Sequence, residues 1–176
     1  MTTVVLDAGH GGSDLGATYQ GRREKDDTLA LTLAVGQILS ADPNLNIVYT
    51  RDSDMYESPA QKAADANAAG GDYFVSIHRN STPVPNTYSG VETLVYNDSG
   101  EAARLARNID AELEEVGFAN LGITERPNLA VLRLTNMPAV LLEIGYINTD
   151  RDNAFLDENF LAIAQAIADG ILATIY

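Results

Sequence analysis

Short runs of β-branched and apolar residues alternate along this chain with longer stretches whose apolar residues recur at helical spacing. No other feature of the sequence constrains the fold as much. Strands that take turns with helices build a mainly parallel sheet covered on both faces, so the sequence predicts a three-layer α/β/α sandwich around a mixed sheet of about six strands. Thr2 to Leu6, Ile47 to Thr50, Tyr73 to Ile77, Val91 to Tyr96, Leu129 to Leu134 and Ala139 to Ile144 read as strands. Between them, Asp26-Asp27 is expected to cap a helix carrying Leu29, Leu33, Val35, Ile38 and Leu39 and ending near Pro43. Ser58-Pro59 opens an alanine-rich helix closed by Gly70-Gly71. Ser99 to Val116, with Leu105, Ile109, Leu113 and Val116 in step, and Phe160 to Ile175 complete the helices. Residues 81–89, with two prolines, and the turn-rich Asn148 to Asn153 read as loops.

At 176 residues with 45% hydrophobic content, residues 1–176 are expected to form a single domain. A chain of this size buries roughly 70% of its unfolded surface, so its stability needs neither a disulfide nor a structural metal. There is no cysteine, which rules out thiolate ligands and leaves nitrogen and oxygen donors for any metal. A formal charge of −14 argues against nucleic acid and anionic membranes as targets. The N-terminus enters a strand with no leader-like segment ahead of it, so no export signal is expected. The apolar tail is interrupted by Gln165, Asp169 and Gly170, so no membrane span is expected.

The chain has only two histidines, and both follow strands: Asp7-Ala8-Gly9-His10-Gly11-Gly12 and Ser76-Ile77-His78-Arg79-Asn80. Strand ends are where open α/β sheets carry function. Gly9, Gly11 and Gly12 allow close backbone approach around His10, and Ser76 and Asn80 offer hydrogen bonds near His78. Glu24 stands at a helix start and is the leading candidate for a third ligand. Two histidines and a glutamate form a catalytic zinc set with an open fourth position.

These residues carry a resemblance that covers nearly the whole chain. The tracts Leu6-Asp7-Ala8-Gly9-His10-Gly11-Gly12, Glu24, Thr50-Arg51-Asp52, Ser76 to Asn80 and Pro138 to Asn148 occur in that order. The sequence thereby resembles the zinc-dependent N-acetylmuramoyl-L-alanine amidases of the Amidase_3 type, found among bacterial cell-wall enzymes and phage endolysins. The resemblance implies one zinc ion held by His10, Glu24 and His78, with Glu143 as the catalytic carboxylate and peptidoglycan as the substrate. It also implies action at the bacterial cell wall, with a separate wall-binding domain or activator as a further partner. Ala8, where the family usually has proline, and Arg79, where it commonly has a smaller or apolar residue, depart from the pattern without touching the ligands.

Glu143 ends an apolar strand, where a partly dry setting raises a carboxyl pKa and suits it to proton transfer. Glu92 is the competing base. Arg79, Asn80 and Arg133 are the candidate substrate-binding residues, the arginines toward stem-peptide carboxylates, although Arg79 can equally pair with a neighbouring acid. Arg51 reads as a structural fork, Asp7 as a group that orients a ligand, and Tyr88, Tyr96 and Tyr146 as packing residues able to stack on sugars. The alternatives to the amidase are a zinc exopeptidase acting on wall peptides and a wall-binding module without activity.

Overall fold

The computed structural model describes residues 1–176. In chain order the elements are β1 (Thr2–Ala8), β2 (Thr18–Tyr19), β3 (Arg22–Arg23), α1 (Glu24–Leu39), β4 (Leu45–Tyr49), α2 (Pro59–Ala68) and β5 (Tyr73–Asn80). They continue with β6 (Val91–Val95), α3 (Gly100–Val116), β7 (Asn120–Glu125), α4 (Ala130–Arg133), β8 (Ala139–Tyr146), α5 (Asp150–Glu158) and α6 (Phe160–Ile175). Six strands form one sheet in the order β4-β1-β5-β8-β6-β7, and β2 and β3 make a small antiparallel ribbon. Strands β4, β1, β5 and β8 run parallel; β6 pairs antiparallel with β8 and parallel with β7, so the sheet is mixed as expected.

Side chains alternate across the strands and fill two cores. Val4, Leu6, Val75, Ile77, Val140, Leu142 and Ile144 join residues of α1, α3 and α6 in a cluster of 25 buried apolar residues. Val5, Phe74, Leu94, Ala139 and Leu141 meet Ala66 of α2 and Val131 and Leu132 of α4 in a cluster of 8. Helix α2 follows its sequence cues: Ser58 Oγ accepts the Gln61 N–H, and Pro59 occupies the first turn.

Four expectations need correction. Leu129 to Leu134 is not a strand; Ala130–Arg133 forms the single turn α4, because consecutive Val131 and Leu132 both reach the smaller core. Asn148 to Asn153 is not all turn, since α5 begins at Asp150. Helix α1 starts earlier than Asp26-Asp27, at Glu24, so those aspartates lie in its first turn and favour the positive end of its dipole. Its buried stripe is Thr28, Leu31, Thr32, Val35 and Leu39, whereas Leu29 and Leu33 are half-buried.

Candidate metal centre and active site

The parallel strands β1 and β5 end side by side, and their register carries His10 and His78 to the same edge of the sheet. His10 takes φ 63°, a left-handed conformation rare for a residue with a side chain, and the glycines after it are also left-handed. This turn swings the imidazole back over the strand ends, and such local strain persists where surrounding contacts fix it. The contacts here are specific. Arg51 donates from Nε to the Ala8 carbonyl (3.0 Å) and from Nη2 to the carbonyls of Gly9 (3.0 Å) and Lys25 (2.9 Å). Thr28 Oγ1 donates to the Gly9 carbonyl (2.7 Å) and Lys62 Nζ to the Ala8 carbonyl (2.7 Å).

Glu24, the first residue of α1, is buried between the two imidazoles. Its Oε2 lies 3.0 Å from His10 Nε2 and its Oε1 lies 3.0 Å from His78 Nδ1. The same carboxylate accepts the Ala17 N–H (2.9 Å) and the Arg79 N–H (3.0 Å), which fixes its plane. One donor atom from each of the three residues lies within 4.8 Å of the others. Two imidazole nitrogens and one carboxylate oxygen converging at this spacing form a donor set able to hold a divalent transition metal, and it suits zinc.

Glycines make room for this triangle. A side chain at Gly9 would collide with the His78 ring, and a Cβ at Gly16 would stand 2.6 Å from Glu24 Oε2 and from His10 Cδ2. Asp14 Oδ2 lies 2.8 Å from His10 Nδ1, so the nitrogen opposite the cluster is held by a carboxylate, as ligating histidines commonly are.

The electrostatics follow from packing three titratable groups together. Burial alone would lower the His10 pKa, but bonds to Glu24 and Asp14 outweigh it and push it up to about 9. Burial likewise opposes charge on Glu24, yet hydrogen bonds with both imidazoles hold it well below the usual carboxylate range. Glu24 is therefore ionised, as a metal ligand must be, whereas His10 holds its proton in this pairing and would release it on binding a cation.

Glu143 of β8 stands directly across from His78 in the β5–β8 register and across from Glu92 in the β6–β8 register. Its Oε2 is buried without a hydrogen-bond partner. Burial is the largest influence on it, assisted by the Glu24 and Glu92 charges and opposed by His78 and His10, and its pKa rises to about 7. A carboxyl group poised there can both take and give a proton near neutrality. Glu92 instead accepts a hydrogen bond from Thr124 Oγ1 (3.1 Å).

A cleft of about 220 Å³ opens beside the cluster, lined by His10, His78, Glu57, Pro59, Leu129 and Leu141 among others. Most remaining candidates lie elsewhere. Arg79 is buried, and its guanidinium is committed to the Ile144 carbonyl (2.5 Å), Asp27 (2.6 Å) and Asn153 (2.8 Å), which leaves no edge free for a peptide carboxylate. Asn80 turns its side-chain oxygen to the Ser81 N–H. Arg133 is exposed at the end of α4 and lines a different cavity, of about 350 Å³, with Tyr96 and Asn136. Arg51 has the structural role expected of it. Asp7 lines the cleft but hydrogen-bonds to neither imidazole; it accepts from Thr50 (2.6 Å), Ser76 (2.6 Å) and Lys62 (2.8 Å), tying neighbouring elements together. Nothing in the sequence marks Asp14 or Gly16, because an acid four residues after a histidine in an irregular loop carries no periodic signal.

Comparison with known proteins accords with this geometry. The family model for N-acetylmuramoyl-L-alanine amidase, Amidase_3, matches residues 4–173. An endolysin of Bacillus phage SPP1 is 37% identical over 174 residues, which cover 96% of this chain and 64% of that protein. This chain thus spans a little under two thirds of the endolysin's length. The crystal structure of an N-acetylmuramoyl-L-alanine amidase from Clostridium difficile 630 superposes with a TM-score of 0.93 at 33% identity, covering 99% of this chain and 96% of that one. The catalytic domain of CwlV, an amidase of Bacillus (Paenibacillus) polymyxa, gives a TM-score of 0.92 at 36% identity, covering 99% and 98%. Strand order, site geometry and sequence together make this chain a member of the Amidase_3 family of N-acetylmuramoyl-L-alanine amidases.

Proposed function

We propose that this chain is a catalytic domain that hydrolyses the amide between N-acetylmuramic acid and L-alanine in peptidoglycan, with one zinc ion held by His10, Glu24 and His78. The observation that carries the reading is the convergence of those three side chains beside Glu143, whose buried carboxyl has an unpaired oxygen. When bound, zinc supplies a Lewis acid that acidifies water and polarises a carbonyl oxygen. Glu143 takes the proton from water as its oxygen adds to the amide carbon. It then delivers that proton to the L-alanyl nitrogen as the C–N bond breaks, because an amine leaves poorly unless protonated. The products are a lactyl carboxylate on the glycan and a peptide with a free L-alanyl amino terminus. Asp14 holds the His10 ring, and Glu24 is oriented by the Ala17 and Arg79 amides.

Its place of action would be the bacterial cell wall, reached with a wall-binding domain or activator. No single helix is long and apolar enough to cross a membrane. The test is digestion of purified peptidoglycan by zinc-loaded protein, with new amino termini identified by mass spectrometry. L-Alanine supports the amidase; a different residue makes the chain a wall peptidase; wall binding without new termini makes it a silent module. Loss of zinc from His10→Ala and His78→Ala, measured by elemental analysis, tests the ligand assignment separately.

A further inference from the structure

The ladder between β5 and β8 breaks at one place. His78 lies opposite Glu143 and Asn80 lies opposite Tyr146, so Arg79 alone faces both Ile144 and Gly145. The extra residue makes a bulge immediately after Glu143, and Gly145 supplies the left-handed conformation there, at φ 68°. A bulge re-aims the residues beside it and leaves backbone groups to be satisfied by other means. Side chains do so here from two directions. Asp152 of α5 accepts the Tyr146 N–H (2.8 Å), and Arg79 Nε donates to the Ile144 carbonyl (2.5 Å).

Alternation along β5 sends Arg79 to the sheet face opposite His78, behind the site. Only 1% of its side chain is exposed. The guanidinium joins three elements at once: Ile144 of β8, Asp27 of α1 (2.6 Å) and Asn153 of α5 (2.8 Å). Asp27 lies one turn after Glu24 on α1, and the Arg79 N–H donates to Glu24 Oε1 (3.0 Å). One residue therefore links the helix turn that carries a proposed ligand to the strand that carries the proposed base. Burying a guanidinium is costly, and apolar residues of similar volume often serve stability as well. What they cannot supply is direction: the planar fork fixes the angle and distance between the groups it bonds.

We propose that Arg79 is a positioning residue for the reaction: by holding the bulge after Glu143 against the first turn of α1, it sets the separation between the Glu143 carboxyl and the His10–Glu24–His78 triangle. It touches no substrate and acts through the backbone. This role rests on the amidase reading above, in which Glu143 carries the proton. Proton transfer is sensitive to placement, and an error of about 1 Å can cost roughly a hundredfold in rate.

The test is Arg79→Lys, which keeps the positive charge and loses the fork. Zinc content and the visible absorption of cobalt-substituted protein should match the parent, because the three proposed ligands and the backbone N–H at position 79 remain. With purified peptidoglycan, kcat should fall roughly 10- to 100-fold at an unchanged KM. A crystal structure of the variant should show Glu143 displaced from Glu24 while His10, Glu24 and His78 keep their spacing. Asn153→Ala, which removes only the α5 bond of the guanidinium, should lower the melting temperature and spare kcat. Should Arg79→Lys fail to fold, Asp27→Asn takes its place, with a smaller loss of kcat expected and metal retained. Parental kcat in the metal-replete variant, an unmoved Glu143, a changed cobalt spectrum, or an equal loss of kcat in Asn153→Ala would each overturn the positioning role. Failure of the amidase reading shows separately, as parent protein that releases no L-alanyl termini, and the displacement of Glu143 is then still read in the crystal structure.

Discussion

Alternate residues of β1, β5 and β8 supply two unlike surfaces. Val4, Leu6, Val75, Ile77, Leu142 and Ile144 face α1, α3 and α6 within the cluster of 25 buried apolar residues. One step along the same strands, Val5, Asp7, Phe74, Ser76, His78, Leu141 and Glu143 face the thinner cover of α2 and α4, where the apolar cluster has 8 residues. Each side also buries a carboxyl with a raised pKa. Asp110 of α3, with Thr93 Oγ1 donating to it at 2.6 Å, is raised to about 6, chiefly by burial; Glu143 is raised to about 7 for the same first reason. The lesson is that the thick face can carry the stability that the thin face gives up to expose polar groups at the strand ends.

That contrast makes stability and turnover separable, and the sharpest way to break it is Glu143→Gln. Its expected effect is a loss of turnover of roughly 10²- to 10⁴-fold, the range for a general acid–base group, with zinc content retained. Wall-digestion kinetics beside elemental analysis check it, and a metal-replete variant with parental activity would remove Glu143 from the chemistry. The converse change, Leu142→Ala on the thick face, should cost about 2–5 kcal/mol by denaturant unfolding. The active-site triangle should survive it under native conditions.

Asp14→Ala probes the thin face without replacing a proposed ligand. It should reduce zinc affinity by roughly 10- to 100-fold, measured by competition with a chelator, because His10 loses the group that orients its ring. The smallest effect is expected from Asp110→Asn. A native pKa raised from 3.8 to about 6 means that the folded state holds this proton more tightly than the unfolded chain does. Its contribution is therefore most favourable below about pH 4, falls as pH rises toward about 6 and is flat above that. Asp110→Asn should gain about 1–2 kcal/mol at pH 7, and the gain should vanish near pH 4. A gain independent of pH would show that charge burial is not its cause.

Much of the architecture was legible because most strands are apolar runs buried on both faces and α3 carries a clear apolar stripe of Leu105, Ile109 and Leu113. The exceptions share a physical cause. Leu129 to Leu134 is too short for periodicity to separate one helical turn from a strand. Strand β7, Asn120–Glu125, is a sheet edge with no fully buried residue and a left-handed Gly122, so it lacks the alternation that announces a strand. Helix α5 opens with Asp150, Asp152 and Asn153, a residue type whose side chains compete locally for backbone groups and imitate a turn. Within the site, His10, Glu24 and His78 stood out as rare or well-placed donors. The Asp14 contact and the closed guanidinium of Arg79 depend on tertiary approach, which no spacing encodes.

The Arg51 fork bears on how the site is held ready. It holds the carbonyls of Ala8, Gly9 and Lys25 through bonds that involve none of the three proposed ligands. The turn presenting His10 is thus braced by the polypeptide alone. Bracing of this kind preorganises a side chain before anything binds it, so the ordering cost of the loop falls on folding and not on binding.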